Sequence, residues 1–158
     1  MTSSATEVSL DAAVLRELQA IDDPRHCDYP PDFDWQRSME RVGAIRPKLE
    51  EIAGRPLCLD DQVQDASFFA DLFVAEPCEE NGFQHMRVTF SVSFSCFGSL
   101  ATIFNEGVFP EDTVSRMRTT LENQGFVFVD ANQLREPYTG SNDGFKGRTW
   151  MDRFFNYT

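Results

Sequence analysis

The chain has 158 residues, 41% of them apolar, with 14 basic and 26 acidic side chains and a formal charge of −12. This length suits one domain that buries a core without metal or disulfide staples, and no apolar run approaches the ~20 residues of a bilayer span. The charge is shared between residues 1–65 (−7) and 66–158 (−5), so it belongs to the whole surface and argues against nucleic acid as a ligand, because phosphate binding needs clustered Lys and Arg.

An anionic surface suits a basic protein partner drawn in by long-range attraction, and equally the ordinary solubility of an acidic protein. The opening MTSSATEVSLDAAVL lacks a basic stretch followed by an apolar one. A secretory signal is therefore not expected, and the location read from the sequence is cytoplasmic. Cys27, Cys58, Cys78 and Cys96 are widely spaced, with no C-x-x-C pair, so free thiols are expected.

Residues 1–8 read as a flexible start. A helix over 9–21 follows, capped by Ser9, with Leu10, Val14, Leu18 and Ile21 on one stripe. The prolines of PRHCDYPPDFD make a loop. A second helix is predicted over 33–53, its stripe of Trp35, Met39, Val42, Ile45, Leu49 and Ile52 running across Pro47, with Gly54 closing it. Residues 57–65 read as a short strand and a turn.

The scaffold lies between Ala66 and Phe104. ASFFADLFVAE reads as a strand over 67–76, and Asn81-Gly82 is a strong hairpin signal. Beyond it Met86, Val88, Phe90, Val92 and Phe94 alternate with His85, Arg87, Thr89, Ser91 and Ser93, one dry side and one wet side. An Asn81-Gly82 turn sets Glu76 opposite Arg87 as an ion pair, Cys78 opposite His85, and Phe73 opposite Phe90. The same register sets Asp71 against Val92 on the dry side, which predicts a bulge between them. Cys96 to Ser99 forms the next turn, and Leu100 to Phe104 a third strand.

Pro110 opens a helix with acids in its first turn and Val114, Met117 and Leu121 as its stripe. Phe126 to Val129 is a short buried strand. A mobile loop rich in Gly140, Gly144 and Gly147 and carrying an exposed Tyr138 leads to a docked terminal helix. The fold expected is α+β, an antiparallel sheet of about four to five strands with helices mainly on one face, in a single domain over 1–158.

Several constellations have residue types suited to chemistry. Asp60, Asp61 and Asp65 form a DDxxxD cluster that can offer carboxylate oxygens to Mg²⁺, against the plainer reading of a solvated acidic loop. Cys78 and His85 are the nearest approach to an activated thiol, but at a hairpin tip without evident oxyanion donors. With two His in the chain, a three-His metal site is excluded. Glycine-rich phosphate loops are absent. No catalytic residue, cofactor or metal is assigned.

Tyr138, Arg148, Trp150, Arg153 and Tyr157 form an aromatic and basic C-terminal group that can serve as an interface or dock as core. VQDASFFADLF and WMDRFFNY have the cast of small bacterial proteins and carry no site. The function expected is a non-catalytic acidic protein-binding module, such as an immunity-type neutralising partner of a basic nuclease toxin. The alternatives are a small metal-dependent or thiol hydrolase, and a homo-oligomeric subunit such as a homodimer.

Overall fold

The structure, a computed structural model, describes residues 10–157, the side chain of Glu106 excepted. The expected flexible start over 1–8 and the Ser9 cap lie outside the described residues. The chain forms α1 (Ala12–Ile21), α2 (Trp35–Ala53), β1 (Cys58–Asp60), β2 (Phe68–Glu80), β3 (Phe83–Ser95), β4 (Leu100–Phe104), α3 (Glu111–Asn123), β5 (Val127–Phe128), α4 (Ala131–Leu134) and α5 (Trp150–Phe154). Short 3₁₀ turns stand at Glu106–Val108 and Asp143–Phe145. The strands form one sheet in chain order, β1 to β5, which gives the expected α+β class. All neighbours are antiparallel except β4 and β5. That pair departs from the hairpin pattern because α3 carries the chain back across the sheet, and a crossover of that length delivers a parallel strand.

Local chemistry sets the helix ends. Asp11 caps α1, its Oδ1 accepting from the Ala13 N–H at 2.7 Å, and Asp34 caps α2 by accepting from the Arg37 N–H at 3.0 Å. Gly54 ends α2 in the left-handed region (φ +70), where a side chain would be strained. Pro47 sits within this single helix. Val42, Ile45 and Leu49 are fully buried. Trp35 leaves the expected stripe and is 49% exposed, since as the first helical residue it lies beyond the packed stretch.

The hairpin turn is as expected: Asn81 (φ 53) and Gly82 (φ 80) are both left-handed, the pairing of a type I′ turn. Glu76 faces Arg87 and Cys78 faces His85. The register then shifts between Val74 and Ala75: Ala75 faces Val88 while Val74 faces Phe90, leaving Thr89 as the extra residue. Phe73 consequently faces Ser91 rather than Phe90, and Asp71 faces Ser93 rather than Val92. The predicted bulge is present.

Directly opposed residues share a face, so the register defines both surfaces of the sheet. One face carries the rows Leu59–Leu72–Val92–Ile103 and Ala70–Phe94–Ala101–Phe128. The other carries Asp60–Asp71–Ser93–Thr102. The long helices cover the apolar face: Phe94 meets Phe126 at 5.2 Å, while Arg41 of α2 and Arg118 of α3 lie over the rings of Phe126 and Phe128. The C-terminal segment closes part of the second face, where Tyr157 packs edge-on to Phe68 at 5.3 Å and Thr102 donates to the Val129 carbonyl at 2.7 Å.

The bulge also splits the expected dry set. Phe90, Val92 and Phe94 are fully buried, whereas Met86 is 60% and Val88 51% exposed. With Thr89 unpaired, Met86 and Val88 share the face of Pro77 and Ala75, opposite to that of Phe90. β1 ends its pairing at Phe73 and β4 at Ser91, so the outer strands from Ala75 to Val88 pair only with each other. This is a two-stranded arm.

The turn after β3 is held by contact with α1. Gly98 has φ +60, and a Cβ there would stand 2.4 Å from Ile21 Cγ2. Gly98→Ala is therefore expected to lower stability by about 2–3 kcal/mol through strain and displacement of α1. Urea unfolding checks this: the midpoint should fall at unchanged slope, and an unaltered midpoint would contradict the seating of α1 on this turn.

Candidate functional site

The acidic cluster does not assemble a metal centre. Asp60 Oδ1 accepts from the Gln62 N–H at 3.0 Å and Asp61 Oδ1 from Gln62 Nε2 at 3.0 Å, so both turn back on their own loop, and Asp65 has a left-handed backbone (φ 53). Among the described residues no group of three or more His, Cys, Asp or Glu side chains is placed to hold a metal ion. Instead the register brings Asp60 beside Asp71. Asp71 accepts a short hydrogen bond from Ser93 Oγ, and burial pushes its carboxyl up to about 6, with the Asp60 charge adding and the serine bond opposing.

Cys78 and His85 are cross-strand neighbours, but the imidazole turns to Glu80, 3.7 Å from Nε2, rather than to the thiol. Glu76 likewise pairs with Arg55 at 3.1 Å rather than with Arg87 opposite it. All four cysteines are free. Burial pushes the Cys96 thiol up to about 12, so this buried sulfur is protonated and inert.

The C-terminal group divides. Arg148 and Tyr157 keep exposed surface. Trp150 and Arg153 are fully buried and Tyr138 is 7% exposed, so the exposed Tyr138 expected from the glycine-rich loop is corrected. Arg153 is the centre of this region. Its Nε donates to Asp22 Oδ1 at 2.7 Å, Nη1 to the Cys27 carbonyl at 3.1 Å, and Nη2 to the carbonyls of Asp23 and His26 at 3.1 and 2.9 Å. Its guanidinium lies 4.4 Å from the Phe97 ring centroid and 4.7 Å from that of Phe145.

Asp22 takes the Tyr138 hydroxyl and the Ser141 N–H on its second oxygen. Burial and this carboxylate push the phenol up to about 12. A Cβ on Gly140 would stand 2.1 Å from Asp22 Oδ2, so this glycine permits the approach. The loop expected to be mobile is tied to the loop after α1.

Among the described residues Tyr29, Trp35 and Tyr157 are exposed singly, and the other large exposed apolar side chains lie on the arm and beside it. One face of the arm is apolar, with Ala75 opposite Val88 and Pro77 opposite Met86; the other pairs Glu76 with Arg87, Cys78 with His85 and Glu80 with Phe83. Phe83 is 76% exposed at the tip, and Val108 is 46% exposed after β4. A groove lined by Arg87, Val88, Asn105, Gly107 and Val108 runs along the base of the arm. It meets at Gly107 a larger cleft of about 500 Å³ that is walled by Phe109, Val114 and Phe128. Sequence reasoning missed these positions because period-two alternation places Met86 and Val88 in the core. The available signals were the Asp71 misfit, which calls for a bulge, and Pro77, which lacks an N–H and marks a strand without an outer neighbour.

The class this geometry defines is an α+β protein with a projecting hairpin. Comparison of the chain with protein-family models, curated proteins and solved structures gave no match. No described helix is long and apolar enough to cross a membrane.

Two consequences can be measured. The folded chain holds the Asp71 proton up to about pH 6, while the unfolded chain releases it near the ordinary carboxyl value of 3.8. Stability from this group is present below that lower value and lost as pH rises through about 6, a difference of roughly 3 kcal/mol. Asp71→Asn, which can still accept from Ser93, should match wild type near pH 3.5 and exceed it by about 1–3 kcal/mol at pH 7. Urea midpoints at both pH values test this, and a variant weaker than wild type at pH 7 would refute it. Arg153→Met leaves the Asp22 carboxylate buried without its cation and should cost about 3–5 kcal/mol, read as a fall in thermal midpoint.

Proposed function

We propose that this chain is a non-catalytic, acidic protein-binding module whose partner is a basic protein, and that the arm is where the partner is gripped. The observation that carries the reading is the run of large apolar side chains held in water by the hairpin, Phe83 at 76%, Met86 at 60% and Val88 at 51% exposure. Met86 and Val88 share one face of the arm and Phe83 stands on the other, beside the turn; large exposed apolar side chains are of the kind that anchors protein interfaces. The charge of −12 supplies the second half, because it accelerates encounter with a cationic surface and slows encounter with an anionic one. Glu76, Glu79 and Glu80 on the same arm carry that sign to the tip.

A neutralising partner of a basic enzyme, such as a nuclease toxin, fits this chemistry, and a cytoplasmic setting suits four unpaired thiols. The opposite electrostatics apply to a second copy of the same chain, which would bring −12 towards −12.

The test compares immobilised wild-type chain with a Phe83→Ser, Met86→Ser, Val88→Ser variant in extracts of the source cell at low and high salt. The three positions lie outside the buried core, so the variant should unfold at the wild-type urea midpoint. A basic protein should be retained by the wild type, released as salt rises, and bound at least about ten-fold more weakly by the variant. Retention of no basic protein at low salt, or equal retention by the variant, would sink the reading.

A further inference from the structure

The cleft beyond the arm has a chemistry of its own. It lies past the carboxyl ends of β4 and β5, the parallel pair joined by α3. Phe109, Val114 and Phe128 make apolar walls, and Glu111, Arg118 and Asp130 stand among them around a volume of about 500 Å³. Phe109 is fixed edge-on against Phe90 at 4.8 Å, so the wall is an extension of the core.

The charges inside do not cancel. Arg118 lies over the Phe128 ring at 4.9 Å, and its Nε is 3.3 Å from Glu122 Oε1 on the same helix, so its cation already has a partner. Glu111 and Asp130 remain. Asp130 uses one oxygen to cap α4, accepting from the Asn132 N–H at 2.8 Å, and the other is open to a second donor. A cleft with aromatic walls and two carboxylates among its lining residues suits a group with an aliphatic stem and a cationic tip, because the stem can lie on the rings while the tip keeps charged partners.

We infer that this cleft is the anchor pocket for a lysine side chain of the basic partner, its stem against Phe109 and Phe128 and its ammonium held by Glu111 and Asp130. The inference rests on the binding-module reading above. The groove at the foot of the arm shares Gly107 with the cleft, so a partner seated on Met86 and Val88 can reach the pocket with an adjoining side chain.

The experiment titrates the full chain with Nα-acetyl-lysine amide and follows backbone amide resonances. Saturable shifts are expected at Gly107, Ser115 and Phe128. Glu111→Gln combined with Asp130→Asn should weaken binding roughly five- to ten-fold, and Asn keeps the α4 cap. Nα-acetyl-norleucine amide, which keeps the stem and loses the charge, should be weaker by a similar factor.

Equal binding of norleucine, an unaffected double variant, or no saturable shift at these residues would overturn the pocket. Tighter binding of spermidine than of the capped lysine would overturn the partner assignment in favour of a free polyamine. The two readings fail separately. Loss of a basic partner on changing the arm, with no lysine binding here, removes only the pocket. Lysine binding here, with no basic partner captured, removes the module.

Discussion

A strand has a side-chain period of two, so one unpaired residue inverts every face assignment beyond it. Thr89 is that residue in β3. Inward of it Phe90, Val92 and Phe94 close the core, and outward of it Val88 and Met86 stand in water. The same shift moves Asp71 from opposite Val92 to opposite Ser93, where its carboxylate finds a hydroxyl. An unbroken register would set Asp71 across from Val92 on the helix-covered face and carry Met86 and Val88 on the same face as Phe90. Thr89 Oγ1 reaches the Val74 carbonyl at 3.4 Å, a side-chain bond across the irregular pair. The core, the partly buried carboxylate and the exposed apolar face of the arm are thus three results of one displaced residue.

The second organising element is a buried cation. The loop after α1 and the long segment before α5 have no periodicity that would pack them, yet both contribute to one network around Arg153 and Asp22. The Asp23, His26 and Cys27 carbonyls accept from one guanidinium, whose planar fork can serve several acceptors at once, and the Asn142 amide donates to the first two as well. This has a consequence for the surface. Arg153 is withdrawn into the fold, Lys146 is 2.7 Å from Asp143, and Arg148 is 3.9 Å from Asp152. The stretch that is least acidic in sequence therefore presents little free positive charge, and the anionic character of the whole molecule is left unrelieved there.

Much of the architecture was legible because its signals are local. Asn81-Gly82 fixed the hairpin turn, Gly54 ended α2, and the stripes through Val42, Ile45, Leu49 and through Val114, Met117, Leu121 placed the two long helices. The misfit of Asp71 even announced the bulge. What could not be read was its position, since a shift one pair further in or out leaves the same sequence pattern but exposes different residues. The fates of Tyr138 and Arg153 were hidden for a related reason. Their partners, Asp22 and the carbonyls of residues 23–27, lie more than a hundred positions away, and a long-range pairing of single residues leaves no trace in periodicity. The cleft was invisible as well, because it is assembled from the ends of β4, α3 and β5 rather than from any one run.

An exposed apolar ribbon is a hazard for the molecule that bears it, since open strand edges template pairing with other copies. Here the outer edge of β2 is interrupted by Pro77, which has no N–H to offer, and the reverse face of the arm sets Glu76, Glu80, His85 and Arg87 around Cys78 and Phe83. The remaining protection is the net charge, which keeps identical molecules apart at distances set by the ionic strength. On the proposed reading that charge also selects. It disfavours a second copy and favours a cationic protein through the same field, while the apolar side chains of the arm set how long a complex lasts once formed. Solubility and partner choice then have one physical origin. On that reading the acidity acquires a specific role only because the displaced register leaves Met86 and Val88 outside the core.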